Sequence, residues 1–357
     1  MKKLVFILLL FVGIITGCKE PFAPTTVATE RILVVDGLIT NISGNNTITL
    51  YWSTPFGNSK DKEPVKSALV SIKDEEGVIT TFPEYPEGTY TTKTSEFTAN
   101  IGKTYILLIS TNDGETYESL PQKMENVPTL DSIYGDFMQK PFLTENTDGL
   151  SSMISESVIT SLININRKTA DKNNFRFVNN IIIEVITTGK NPIPGSVSKT
   201  NYYGWHLRNI DDLANITGTE YLTNTYDIIG HELNFFYLKK SLYGVPDSQI
   251  IYNYLIKTQA FSLNNDAFNY YKDINDQLSA GGHIFDPISS QLKSNMHCTS
   301  NKGKSVFGLF EVSATNTYTF IVIPDLIQKT VRYKKINDIG EIPAEGLAPI
   351  SKPTFWQ

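Results

Sequence analysis

The sequence predicts a mainly β protein: an N-terminal immunoglobulin- or transthyretin-like sandwich, then a larger β-sandwich or partly closed barrel carrying one short helix. Three observations predict it. Short runs of alternating apolar and polar residues fill 31–122 at near-regular spacing, separated by turn residues. Longer alternating runs follow, and in one of them Ile250, Tyr252, Tyr254, Ile256, Thr258 and Ala260 share a parity, hence one face of a strand. Beyond it Ala267, Tyr271, Ile274 and Leu278 recur at helical spacing, after Asn264, Asn265 and Asp266, whose side-chain oxygens suit an N-cap.

In chain order, Lys2 and Lys3 precede an apolar run from Leu4 to Ile15. A bilayer span needs roughly 20 residues, so this shorter run has the form of a secretory signal. It ends in Ile15-Thr16-Gly17-Cys18, the apolar-small-glycine-cysteine order of a bacterial lipoprotein cleavage box. The expectation is a signal peptide over 1–17, acyl (palmitate-type) modification of Cys18, and a lipid-anchored tether over 18–30, rich in proline and threonine. The competing reading is an ordinary secretory signal with an incidental cysteine. Lys19-Glu20 is a thin version of a surface-export signal, which leaves the periplasmic and the cell-surface face of the outer membrane both open for a chain so anchored. An acylated Cys18 leaves Cys298 without a partner, and a reduced, buried strand cysteine is expected there. Lys and Arg number 31 against 37 Asp and Glu, a net charge of −6, which argues against nucleic acid and against a surface that adheres to anionic lipid.

Residues 31–125 are expected to form the first sandwich, with strands over 32–40, 47–52, 67–73, 78–82, 89–92, 103–110 and 116–120. Asn112-Asp113-Gly114 supplies the positive φ of a tight hairpin. Asp61-Lys62-Glu63 and Asp74-Glu75-Glu76 lack the alternating oxygen spacing of a calcium loop and suit solvated turns. Pro121 and Pro128 bracket the boundary. The second domain is assigned to 126–339: a loop over 140–152, strands over 158–166, 175–187, 202–208, 227–238 and 249–263, and a polar insertion over 209–224 with a helical turn at Asp211-Asp212-Leu213. The helix falls near 266–280, stopped by Gly281-Gly282, with its apolar stripe turned inward. Strands ending at Ile323 follow, and 340–357 forms an extended tail.

Chemistry-bearing patterns are sparse. His231-Glu232 opens a zinc-protease-like motif, but Phe235 stands where the second histidine belongs. His283, Asp286, His297 and Cys298 are potential ligands at spacings that fit no familiar metal site, and adjacent strand residues point to opposite faces. Neither a nucleophile elbow nor a phosphate or dinucleotide loop occurs. No catalytic residue, metal or cofactor is therefore expected. The remaining lead is aromatic: Tyr202, Tyr203 and Trp205 beside a loop, and Phe235 and Phe236, followed by Tyr237, in a run that no single face can absorb. Such rings serve ligand or partner contact, or else they pack a core.

Phe268-Asn269-Tyr270-Tyr271, Gly282 to Pro287, Asn295-Met296-His297 and Val306-Phe307-Gly308-Leu309-Phe310 carry a resemblance, joined by Leu33 to Ile39 and Tyr105 to Tyr117. These pieces resemble a Bacteroidetes outer-membrane lipoprotein family known as domain of unknown function forty-two forty-nine, across nearly the whole mature chain. Ile288 stands where many relatives have a second proline. The resemblance implies no activity. It implies an accessory place beside a TonB-dependent outer-membrane transporter, so the expected function is that of a non-catalytic envelope lipoprotein partnering such a transporter. A stand-alone surface protein binding a saccharide or peptide, adhesin-like, is the alternative, and an unrecognised hydrolase the third. The anchor is open to direct measurement: Cys18→Ala should abolish incorporation of labelled fatty acid and leave an uncleaved precursor outside the outer-membrane fraction, whereas label entering that variant would end the lipoprotein reading.

Overall fold

The computed structural model describes residues 31–44, 46–54, 62–92, 97–127, 130–145, 151–166, 174–190, 199–210, 215–218, 227–238, 249–279, 292–336 and 346–348. The early strands are β1 (Leu33–Thr40), β2 (Thr47–Trp52), β3 (Glu63–Pro64), β4 (Leu69–Asp74), β5 (Ile79–Phe82), β6 (Thr89–Thr91), β7 (Thr104–Ser110), β8 (Thr116–Ser119) and β9 (Gln122–Lys123). One sheet holds β1, β2, β3 and β6, and the other β8, β7, β4, β5 and β9. Alternation decides which side chains lie between them: Tyr105, Leu107 and Ile109 of β7 are buried while their neighbours are not. They meet Leu33, Val35, Leu50, Ile72 and Tyr117 in one core. Glu63 sits on β3 instead of the loop expected for its charge cluster. Asp74 Oδ1 accepts the Glu76 and Val78 amides, the turn expected of the other cluster.

The later elements are β10 (Ser132–Glu145), β11 (Ser151–Asn166), β12 (Asn174–Lys190), β13 (Lys199–Ile210), β14 (Ile216–Thr217), β15 (Asp227–Tyr237), β16 (Gln249–Leu263), α1 (Asn265–Ser279), β17 (Met296–Cys298), β18 (Val306–Ser313), β19 (Thr315–Asp325), β20 (Thr330–Ile336) and β21 (Gly346–Ala348). A seven-stranded sheet runs β20-β19-β16-β12-β13-β21 with β14 beside β12, and β10-β11-β15 form a three-stranded sheet. Two apolar cores draw on both sheets, and among the described residues no sheet closes into a barrel, so the second unit is sandwich-like. Residues 140–145 and 151–152, expected in a loop, are strand. The pairing runs from Lys140↔Glu156 to Glu145↔Ser151 as the outer half of a long hairpin. Apolar residues fall on both faces of that half, Phe142 and Ile154 on the half-buried one and Leu143 and Met153 on the exposed one, so it lacks the apolar alternation by which strands are recognised.

β17 and β18 depart from the division at residue 125. β18 lies parallel to β1, Leu33 opposite Val306 through Thr40 opposite Ser313, and β17 pairs with β8. A parallel pair needs a long crossover, and here that crossover takes in β2 to β9 of the first sandwich and β10 to β16 of the second. Local pattern carries no trace of such a connection. Gly308 has a φ of 94°, and a Cβ there would collide with the Val35 carbonyl, so only glycine permits this close approach.

α1 starts where the cap predicts, with Asn264 Oδ1 accepting the Ala267 amide at 3.0 Å. Its first turns pack: Ala267 and Phe268 join Ile216, Leu263 and Leu309, with Tyr270 and Tyr271 against them. The inward stripe stops there. Ile274 is half-buried and Leu278 is 69% exposed, because the helix outruns the strands beneath it.

Where the two sandwiches meet, Arg176 of β12 gives both Glu311 carboxylate oxygens a hydrogen bond, at 2.9 and 3.1 Å. Tyr271 Oη and Ser313 Oγ donate to the same carboxylate at 2.6 and 2.7 Å. The guanidinium lies 4.2 Å from the Phe261 ring centre and 5.0 Å from that of Tyr271. Burial by itself would lower the Arg176 pKa, but the Glu311 charge outweighs it and the pKa rises. Burial, then Glu311, holds the Tyr271 phenol well above its ordinary value. Glu311→Gln should cost about 3–5 kcal/mol by leaving a buried cation uncompensated. Arg176→Met with Glu311→Leu should recover much of that loss, and urea midpoints of the three chains decide it.

Candidate binding surface

The second sandwich has two ends, set by register. One core, with Ile163, Phe175, Phe177, Ala260 and Phe320, lies near the junction; the other, with Ile159, Ile183, Phe236, Tyr254 and Val322, lies beyond it. Following each strand outward brings the far ends of β10, β12, β15 and β19 together with the starts of β11, β13, β16 and β20. Tyr202, Tyr203 and Trp205 stand opposite Thr187, Ile186 and Glu184, so their backbone belongs to this far end, next to β21. Phe235 and Phe236 lie on β15, in the other sheet.

Phe235 and Phe236 separate by strand parity. Phe236 stands opposite Ile159, is 1% exposed, and its ring lies 4.8 Å from that of Tyr254. It is a core residue and leaves the contact set. Phe235 has the other parity and meets Tyr237 edge-on at 5.6 Å, and Tyr237 meets Phe142 at 5.3 Å. Lys140 Nζ sits 5.1 Å from the Phe235 ring centre and 3.0 Å from each Glu232 carboxylate oxygen. Sequence reasoning missed Lys140 and Phe142. Their shared parity was the available signal, hidden in a stretch that otherwise resembles a loop.

Apolar groups are left in water at the same end: Met138 and Leu143 on β10, Met153 on β11, and Leu326 and Ile327 in the β19–β20 turn. β11 also outruns its neighbour, since β15 begins to pair only at Val158. Among the described residues, Ser151–Glu156 therefore has a strand on one side only, the side of β10. Such an edge is a template for another extended chain.

The other predicted groups take structural places. His231 Nε2 lies 2.7 Å from Asn215 Oδ1 and its ring 5.8 Å from that of Phe177. Burial pushes its pKa down to about 4, so the imidazole is neutral. His297 is exposed and Cys298 buried, on opposite faces of β17, and Cys298 is a free thiol. His283, Asp286, Gly281, Gly282, Asp211, Asp212, Leu213 and Cys18 lie outside the described residues, and among the described ones no group of three metal-ligating side chains forms. A pocket of about 410 Å³ beside β17 is lined in part by His297, Lys302 and Lys304. Lys304 is committed to Glu115, at 2.6 and 2.8 Å, and with Tyr117 holds that carboxyl below its usual range.

A family model described as a domain of unknown function (DUF4249) matches residues 19–319. No curated protein and no solved structure matches the chain.

His231 makes stability depend on pH. Its pKa is about 4 when folded, against an ordinary 6.5, so between those values the unfolded chain binds the proton and the folded one does not. The contribution is whole above the upper value and is lost as pH falls toward the lower, by about 3 kcal/mol at most. Urea midpoints at the two ends of that window should differ less in His231→Gln than in the native chain; equal differences would remove His231 as the cause.

Proposed function

The chain belongs to the DUF4249 family, and on that premise we propose that it is a non-catalytic lipoprotein of the outer membrane, held by acylated Cys18 and docked on a TonB-dependent transporter in the same bilayer. The observation that carries the docking is the gathering at one end of Phe235, Tyr237 and Phe142 with the exposed Leu143 and Met153 and the start of β11, which among the described residues pairs on one side only. Apolar side chains that stay in water beside half-buried rings, while the cores are filled, are the usual anchors of a protein interface. The outer hairpin supports the same reading, because a two-stranded ribbon is marginal alone in water and gains most from a partner. The family resemblance supplies the kind of partner.

A second reading rests on Lys140 and Glu232 beside the Phe235 and Tyr237 rings, a charged and aromatic platform suited to a saccharide. Envelope solubilised in mild detergent separates the two. The native chain should co-purify a transporter in equal amount, and Phe235→Ala with Leu143→Asp should lose it by about ten-fold or more, the size of a lost hot spot, while melting temperature stays within a few degrees. Failure of any transporter to accompany the native chain would sink the partnership. A saccharide that raises the melting temperature of the native chain but not of Phe235→Ala would install the second reading.

A further inference from the structure

The β19–β20 turn leaves two adjacent apolar side chains in water: Leu326 is 63% exposed and Ile327, at 95%, is the most exposed large apolar side chain among the described residues. The turn is set firmly. Asp325 Oδ1 accepts the Ile327 and Gln328 amides at 3.0 and 2.9 Å, and Lys329 takes a φ of 51°. The apolar pair is thus held at the apex.

Cations flank it. Arg332 stands opposite Ile323 and Lys334 opposite Ile321, and opposed residues share a face. Tyr333 between them points the other way, its Oη 2.8 Å from Ser161 Oγ and its ring against both cores, which turns Arg332 and Lys334 outward. No ion pair with a described residue engages Lys329, Arg332 or Lys334. The one carboxylate in the turn, Asp325, is occupied by the backbone.

We propose that this turn is a membrane contact: Leu326 and Ile327 enter the interface of an anionic phospholipid bilayer, and Lys329, Arg332 and Lys334 meet its headgroups. Shape favours lipid over protein. A stable protein interface buries more than about 1,000 Å² in total, far beyond two side chains on a convex apex, whereas a bilayer accepts such an apex without a matching pocket. Charge agrees, since basic groups beside an anionic leaflet are attracted over distances of about 10 Å. The net charge of −6 spreads over the whole chain and does not govern a patch of that size.

For its strength the contact rests on the anchored reading, because a lipid at Cys18 holds the chain at the surface and makes this second encounter intramolecular. The turn lies at the end of β19 and the tether at the start of β1, on opposite sides of the junction. The molecule therefore lies along the membrane, and the tether from 18 to 30 has an extended reach of about 45 Å for the purpose.

The test uses the full acylated chain with Ile327→Cys carrying an environment-sensitive fluorophore; Cys298 is buried and stays unlabelled. Vesicles of phosphatidylcholine, with or without one-fifth phosphatidylglycerol, provide the surfaces. The label should shift to the blue and be quenched by brominated lipid on anionic vesicles only. That change should vanish in Lys329→Glu with Arg332→Glu and in high salt, while a label at Val78→Cys in the first sandwich stays aqueous. An aqueous spectrum at 327 on anionic vesicles that hold the protein overturns the contact. So does equal burial on neutral vesicles, in the charge-reversed variant or at position 78. Burial without vesicles that grows with protein concentration assigns the apex to a second copy instead. Labelled fatty acid scores the anchor separately: a chain that takes none, yet still buries the 327 label on anionic vesicles, keeps the turn contact and loses only the anchor.

Discussion

The parallel pairing of β18 with β1 is the constraint on which the rest of the molecule depends. β18 closes the first sandwich at the open side of β1, and Asn295 binds it from another direction, its side chain bonding both the amide and the carbonyl of Phe310. One residue later the same run becomes β19 and enters the second sandwich. Around the changeover Ser262 accepts from the Ala314 amide and donates to the Glu125 carbonyl, and Asn41 accepts from the Thr315 amide. The two units therefore share a covalent strand, a buried ion pair and a polar seam. Neither can be rearranged without loosening the other.

Parts of this were legible in the sequence and parts were not, for physical reasons. β7 was legible because one face is wet and one dry, so Tyr105, Leu107 and Ile109 alternate with smaller burial between. The cap of α1 was legible because Asn264 acts within one turn of itself. The outer half of the β10–β11 hairpin was not, since its apolar residues fall on both faces and so mask the period of two. Leu278 shows the opposite failure: its helical spacing is correct, but spacing cannot say how far the supporting surface extends. Within the candidate surface, Phe235 and Phe236 separate only by register, with Phe236 in the core, because a run of aromatics does not reveal which parity faces inward.

The motifs that carry the family resemblance now have a physical meaning. Leu33 to Ile39 and Val306 to Phe310 are partners in the parallel pair. Asn295 binds Phe310, and Phe268 packs with Leu309 while Tyr271 reaches Glu311. The pattern thus describes how β18 is received by its surroundings. Lys140, Phe142, Phe235 and the β19–β20 turn lie outside the motifs that carry the resemblance.

The same pairing also has a mechanical side. A pull between a lipid at residue 18 and a partner at the far end would enter β1 at Leu33 and leave through β19. Because β1 and β18 run parallel, that pull draws the two strands past each other along their length instead of peeling them apart. All eight facing positions, from Leu33 and Val306 to Thr40 and Ser313, then bear the load at once. A strand loaded in shear yields only when the whole ladder slips, so a chain held at both ends in this way would resist extension as a stiff link.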